Sequence, residues 1–113
     1  MPVWTEYPKP QNETDMEYKV THRPGRNRFE TEENGLTAFL EYLPYDGGLD
    51  LIHTIVPGPM QGRGAGAALV RAALEYARTH RLKVIPSCPY VAAYLKRHPE
   101  EAELADMTAD EIR

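Results

Sequence analysis

Between residues 51 and 85 a short apolar run leads into a glycine-rich turn, a helix-patterned stretch and a second apolar run, and this order leaves few ways to fold. Residues 51–56, Leu-Ile-His-Thr-Ile-Val, read as a strand. Ala65, Ala68, Leu69, Ala72, Ala73 and Tyr76 then fall at i, i+3, i+4, i+7, i+8 and i+11, the apolar stripe of a helix over 67–79. Its alanines let the helix lie close to a sheet. His80-Arg81 ends it, and 82–85 reads as a buried strand. Strand, helix and strand in close succession form a right-handed crossover with its two strands parallel.

Upstream, 17–21 and 28–31 read as short strands joined through Pro24-Gly25, a turn signal. Glu33-Asn34-Gly35 is a second tight turn before a strand over 36–43, and Tyr45-Asp46-Gly47-Gly48 turns into 51–56. Three hairpin connections in sequence predict an antiparallel meander. Downstream, Pro89 suits the first turn of a helix over 90–97, which His98-Pro99 ends. Pro99 starts a further short helix through residue 104, and no strand is expected beyond His98. The expected class is α/β (α+β): an antiparallel meander, a β-α-β crossover and a C-terminal helix. Residues 1–15, with Pro2, Pro8 and Pro10, read as an extended tail that Trp4 and Tyr7 pin to the body. Residues 16–104 form the domain and 105–113 a C-terminal tail, in which Thr108 and Glu111 have capping-box spacing.

At 113 residues, 42% hydrophobic and 27% charged, the chain suits one globular domain with a modest core. One cysteine excludes a disulfide framework and a cysteine-rich metal site, so no metal is expected and a reducing, cytoplasmic setting is the default. No apolar stretch reaches membrane-spanning length, and no basic-then-apolar leader opens the sequence. The net charge of −4 argues against general nucleic-acid binding. From residue 60 to 98, however, seven basic residues face one acid, Glu75, a local balance of +6. Arg71 and Arg78 flank Glu75 at helical pairing distance and are expected to solvate the helix face with it. The remaining basic excess suits a polyanionic ligand near the glycine-rich turn.

That turn, Gln61-Gly62-Arg63-Gly64-Ala65-Gly66, opens the helix. Unpaired backbone N–H groups and the positive end of the helix dipole suit an anion, and missing Cβ atoms let phosphates approach the main chain; the other reading of the loop alone is a simple tight turn. The spacing only weakly imitates the dinucleotide fingerprint. Pro57-Gly58-Pro59-Met60 separates strand from turn, and the following strand ends in Pro86-Ser87-Cys88-Pro89 with no carboxylate. A P-loop would need Gly-Lys-Ser/Thr, which is absent.

Gln61-x-x-Gly64-x-Gly66 has the form of the pyrophosphate loop of GCN5-related N-acetyltransferases. His53-Thr54-x-Val56-Pro57, Arg63-Gly64-x-Gly66-x-Ala68-Leu69-Val70, and the run Lys83-Val84-Ile85-Pro86-x-Cys88-Pro89-Tyr90-Val91-Ala92-x-Tyr94-Leu95-x-Arg97-His98-Pro99 extend the likeness. Together they resemble the small, minimal branch of that superfamily over residues 16–103. The resemblance implies a truncated fold of this type, with acetyl-CoA or coenzyme A as co-substrate in a cleft where two parallel strands splay apart. It implies pantetheine pairing with main chain near Ile55 and Val56. The pyrophosphate would lie on Gln61, Gly62, Arg63, Gly64, Ala65 and Gly66, with Cys88, Tyr90 and Arg97 nearby.

Acetyl transfer to an amine needs a neutral amine, a polarised carbonyl and a stabilised leaving thiolate. The catalytic candidates are His53, Cys88 and Tyr94. His53, mid-strand and expected on the face of Leu51 and Ile55, is either a core histidine or, as the resemblance implies, a base beside the thioester. Cys88 opens a helix, where the dipole favours a thiolate. It takes the acetyl group, lines the thioester pocket, or is simply a small buried residue, with lining the favoured chemical role. Tyr94 matches the place of a tyrosine that protonates the coenzyme A sulfur in larger relatives, and aromatic packing is its other reading.

Larger relatives carry further elements that shape the acceptor pocket, and Pro24–Asn27 leaves no room for helices there. The acceptor side should therefore be open, suiting a large acceptor such as a protein or peptide amine, a small amine, or a site completed by a homodimer. The expected activity is direct transfer of acetyl to an unidentified primary amine. A coenzyme A-binding or sensing module without turnover is the alternative, and a structural partner protein that has lost the ligand is a third.

Overall fold

The structure, a computed structural model, describes residues 18–106. Over them five strands form one sheet in the order β1-β2-β3-β4-β5. They are β1 Thr21–Arg23, β2 Arg28–Glu33, β3 Leu36–Tyr45, β4 Gly48–Ile55 and β5 Lys83–Ile85. Helix α1, Ala65–Thr79, joins β4 to β5, and α2, Pro89–Arg97, follows. Strands β1 to β4 pair antiparallel, and β4 pairs with β5 parallel, as the patterning predicts. The expectations for the 1–15 tail, for Trp4 and Tyr7, and for Thr108 and Glu111 lie outside the described residues.

Boundaries shift where single contacts decide them. The first strand is Thr21–Arg23, later than expected, because its ladder begins at Thr21 opposite Glu30. Just before it, the Thr31 hydroxyl donates to the Lys19 carbonyl at 2.7 Å. Pro24–Arg26 is one 3-10 turn, closed by Asn27 in the left-handed region. The segment Pro99–Leu104 is helical as expected, of the 3-10 kind.

Strand β4 starts at Gly48, ahead of the apolar run, and this glycine fixes how β5 docks. A Cβ there would stand 2.6 Å from the Lys83 carbonyl oxygen and closer still to the Tyr45 ring and hydroxyl. Overpacking of a site bounded by backbone is not relieved by a rotamer change. Gly48→Ala is therefore expected to lower stability by about 3 kcal/mol, the upper part of the usual overpacking range. A denaturant titration showing an unchanged midpoint would refute it.

The core lies between one sheet face and α1. Phe29, Leu40, Tyr42, Leu49 and Leu51 face Leu69, Val70, Ala73, Leu74 and Ala77, all buried, while Val91 and Leu95 of α2 and Leu104 close the end. Ala73 and Ala77 are fully buried, the expected use of alanine for close helix–sheet approach. At the β1 margin His22 stacks on Phe29 at 4.3 Å, and its Nε2 lies 2.6 Å from the Tyr42 hydroxyl. Tyr76 meets His22 edge-on, and His80 stacks on Tyr76. Burial, and then the nearby His80, hold His22 below the usual histidine range.

The opposite, outer face carries Arg28, Glu30, Phe39, Glu41 and, at 53% exposure, Leu43. Along β3 and β4, Tyr42 pairs with Leu51 but Glu41 pairs with His53. Ile52 is thus an extra residue, a β-bulge that reverses the alternation. Leu51 points into the core, whereas His53 and Ile55 point outward with Glu41 and Phe39. The expectation that His53 shares the face of Leu51 is corrected by this bulge.

Beyond α2 the chain also touches the sheet, correcting the expectation of no strand-like segment after His98. Ala105 bridges Val84 in parallel, and the Asp106 N–H donates to the Val84 carbonyl at 2.8 Å. The Tyr45 hydroxyl donates to the Asp106 carboxylate at 2.7 Å, and the Lys83 ammonium to the Glu103 carbonyl. Arg78 pairs with Glu101 and Glu103, which the returning chain brings within reach, so its expected role beside Glu75 is also corrected.

Candidate active site

Strand β5 leaves β4 early. Their ladder covers only Gly48, Leu49 and Asp50 on β4, and the last link across the gap is the Cys88 N–H to the Leu51 carbonyl at 2.9 Å. Pro86, with no N–H to donate, stands where the strands part. The Ser87 hydroxyl donates to the Asp50 carboxylate at 2.6 Å at the same point. Beyond Leu51, no described strand covers the β4 edge on that side, so 52–55 border an opening.

Both helices begin at this opening. Gly64, the α1 N-cap, has φ 93° and ψ 3°, a left-handed conformation that glycine adopts without strain. Among the described residues no side chain caps either N-terminus, and no acidic residue lies in either first turn. The positive dipole ends of both helices favour an anion or a developing oxyanion at this opening. The first turns touch, because the Tyr90 ring lies over Gly66, where a Cβ would stand 3.0 Å from it. Gly66 thus serves ring packing as well as any ligand. Ala65 is buried, while Gly62 is exposed at φ 75°.

Two polar contacts brace the loop. The Gln61 amide donates to the Val56 carbonyl at 2.9 Å, tying the loop to the end of β4. Arg63 pairs with Glu33 at 3.0 Å, and the Tyr18 hydroxyl donates to the same carboxylate at 2.6 Å. Burial, followed by the hydrogen bond to Glu33, raises the Tyr18 phenol above its ordinary value.

Cys88 is 4% exposed, and its thiol donates to the Thr54 hydroxyl at 3.4 Å on the inner side of the opening. His53 is exposed on the outer side. Ile55 is 50% exposed, and Val56 packs half-buried against the core.

Two expected residues stand apart. Tyr94 is 4% exposed and stacks on His98 at 4.2 Å, with its phenol raised chiefly by burial and opposed by Arg71. It packs one turn deeper along α2 than Tyr90. Arg97 sits in the last turn of α2, roughly 10 Å along the axis from Tyr90 at 1.5 Å per residue. The structure brings together Cys88, Tyr90, Ile55, Val56 and the 61–66 loop, with His53 across the strand. Sequence reasoning missed Thr54 beside Cys88 and the Tyr18–Glu33–Arg63 brace, whose residues lie too far apart along the chain for spacing to reveal.

The profile of the GCN5-related N-acetyl-transferase family matches residues 28–104, from β2 through the last 3-10 turn. The chain belongs to that family. Among relatives, Protein NATD1 of Mus musculus is 36% identical over 85 residues, covering 72% of this chain and 76% of that protein. Protein NATD1 of Xenopus tropicalis is 35% identical over 85 residues, covering 72% of this chain and 77% of its own. The solution structure of a GCN5-like protein from Staphylococcus aureus superposes with a TM-score of 0.62 at 26% identity, covering 78% of this chain and 87% of that one. As a GCN5-related N-acetyltransferase the chain is an acyltransferase by class, and its mixed sheet-and-helix architecture is that of the family. Among the described residues no helix is long and apolar enough to cross a membrane.

Proposed function

We propose that the chain binds acetyl-CoA in the opening between β4 and β5 and transfers the acetyl group directly to a primary amine. The observation that carries this reading is the early departure of β5 from β4 with two uncapped helix N-termini at the gap. In this reading the amides of 62–66 hold the pyrophosphate, with Gln61 keeping the loop shut and Arg63 adding charge beside it. The free β4 edge near Ile55 and Val56 pairs with the pantetheine. N–H groups facing the thioester carbonyl contribute an oxyanion-type stabilisation, worth about 3 kcal/mol per donor in other systems.

His53 acts as base from the outer side, directly or through one water. Cys88 lines the thioester pocket, buried beside the Thr54 hydroxyl. Protonation of the departing sulfur suits Tyr90, at the helix starts, better than Tyr94 beneath His98. Arg97, at the far end of α2, reaches only a distal part of either substrate. Among the described residues no helix covers the outer face, which suits a large acceptor or completion by a second copy, and the single cysteine suits the cytoplasm.

Calorimetric titration with acetyl-CoA and with coenzyme A tests this directly. Micromolar binding of both is the expected result. Absence of binding by the intact chain would overturn the transferase and the coenzyme A-sensing readings alike. The sensing reading follows from the expectation of an open acceptor side, and binding without turnover on any amine would favour it.

A further inference from the structure

The outer face beside the opening holds a carboxylate with no assigned task. Glu41 on β3 lies directly across from His53 on β4, and the Ile52 bulge turns that histidine to the same face. Facing residues of an antiparallel pair bring their Cβ atoms to about 5 Å, so the two side chains border one patch. Phe39 and Ile55, also paired, extend it with apolar surface. Glu41 is half-buried, and among the described residues its carboxylate makes no hydrogen bond or ion pair.

Its natural partner is engaged elsewhere. Arg28, the other cross-strand neighbour of Glu41, lays its guanidinium 3.8 Å over the Phe39 ring and 3.9 Å from Glu30. Arg23 and Arg26 also converge on Glu30. The basic groups of this face thus gather at Glu30 and leave Glu41 a negative charge next to His53. A partly desolvated carboxylate gains most from a cation that also hydrogen-bonds it. The inner side of the opening has the contrary preference, since two helix N-termini favour anions.

We propose that Glu41, beside His53, binds the ammonium group of the acceptor, so that the acceptor is an alkylammonium compound whose aliphatic arm lies along Ile55. This rests on the transferase reading above and narrows its acceptor to amines that are cationic at neutral pH, such as a lysine side chain or a polyamine end. Glu41 holds R–NH3+ while His53 removes one proton. The freed lone pair forms the C–N bond, and the C–S bond breaks with its electron pair passing to sulfur. The second amine proton leaves as the amide forms, and the thiolate takes up one proton. One proton is released per amide made.

The test follows the His53 imidazole resonances by NMR while the full chain is titrated with 1,4-diaminobutane, or with a short lysine-bearing peptide, in the presence and absence of coenzyme A. Both cations are expected to shift His53 saturably, and the tighter of the two identifies the source. Glu41→Gln should weaken that binding about ten-fold, the scale of one charge-assisted hydrogen bond, and leave acetyl-CoA affinity by calorimetry unchanged. Aniline, neutral under the same conditions, should bind both forms equally poorly. No shift at His53 with either cation, or equal affinity in Glu41→Gln, overturns the proposal. Cation binding at His53 by a chain that takes no acetyl-CoA sinks the transferase reading instead, and with it the role of acceptor.

Discussion

Gly64→Glu is expected to abolish acetyl-CoA binding while leaving the chain folded. Gly64 is the α1 N-cap, and the Ala68 N–H already bonds its carbonyl, so helix propagation does not depend on a side chain here. A carboxylate at this position would neutralise the dipole end from within and repel the pyrophosphate assigned to the same amides. The left-handed backbone adds a separate cost, about 1–2 kcal/mol for a residue with a Cβ. Gly64→Ala carries that strain without the charge. It should lose a similar amount of stability yet keep its acetyl-CoA affinity to within about ten-fold, or 1.4 kcal/mol. Equal loss of binding in both variants would mean that backbone shape, not charge, sets affinity, and the pyrophosphate assignment would fall.

His53→Ala is expected to lower kcat about 100-fold with the acetyl-CoA dissociation constant unchanged, the lower end of what one positioned base contributes. The exposed outward position of His53 means that its removal opens no core cavity, so stability should hold. Cys88→Ala should cost less than about ten-fold in kcat, well short of the loss that follows removal of a covalent nucleophile. Stopped-time assays on saturating amine separate the outcomes. If Cys88→Ala eliminates turnover and the parent enzyme shows a burst of coenzyme A release, an acetyl-cysteine intermediate replaces direct transfer. If His53→Ala is as fast as the parent, the base lies elsewhere on the outer face.

The framework of the fold was legible because it is written in local patterns. The stripe from Ala65 to Tyr76, the Asn34-Gly35 turn and the Pro89 helix start each sit where the sequence places them. The loop motif likewise led to the family. What remained hidden depends on registry between distant residues. The bulge at Ile52 leaves no local mark, because an extra residue in one strand is visible only against the partner it skips. Its effect was to move His53 from the core face to the outer one, a change no alternation rule could anticipate. Gly66 was read as room for phosphate, whereas the ring it admits comes from residue 90. Strand ends moved for the same reason, since Gly48 owes its place to Lys83 and Tyr45.

The short bridge made by Ala105 and Asp106 bears on how such a small sheet stays out of fibres. A row of unpaired backbone groups at the end of a sheet is a template on which another chain can grow. Here the last strand at one end is Lys83–Ile85, and the returning chain occupies part of its outer side through Val84. At the other end stands Thr21–Arg23, equally brief and followed at once by proline. Among the described residues, each end strand is only three residues long, and the longer uncovered stretch is the 52–55 edge of β4 inside the opening. A second subunit joining this chain at either end strand would gain little by lengthening the sheet, so the proposed acceptor face is the surface on which association would compete with substrate.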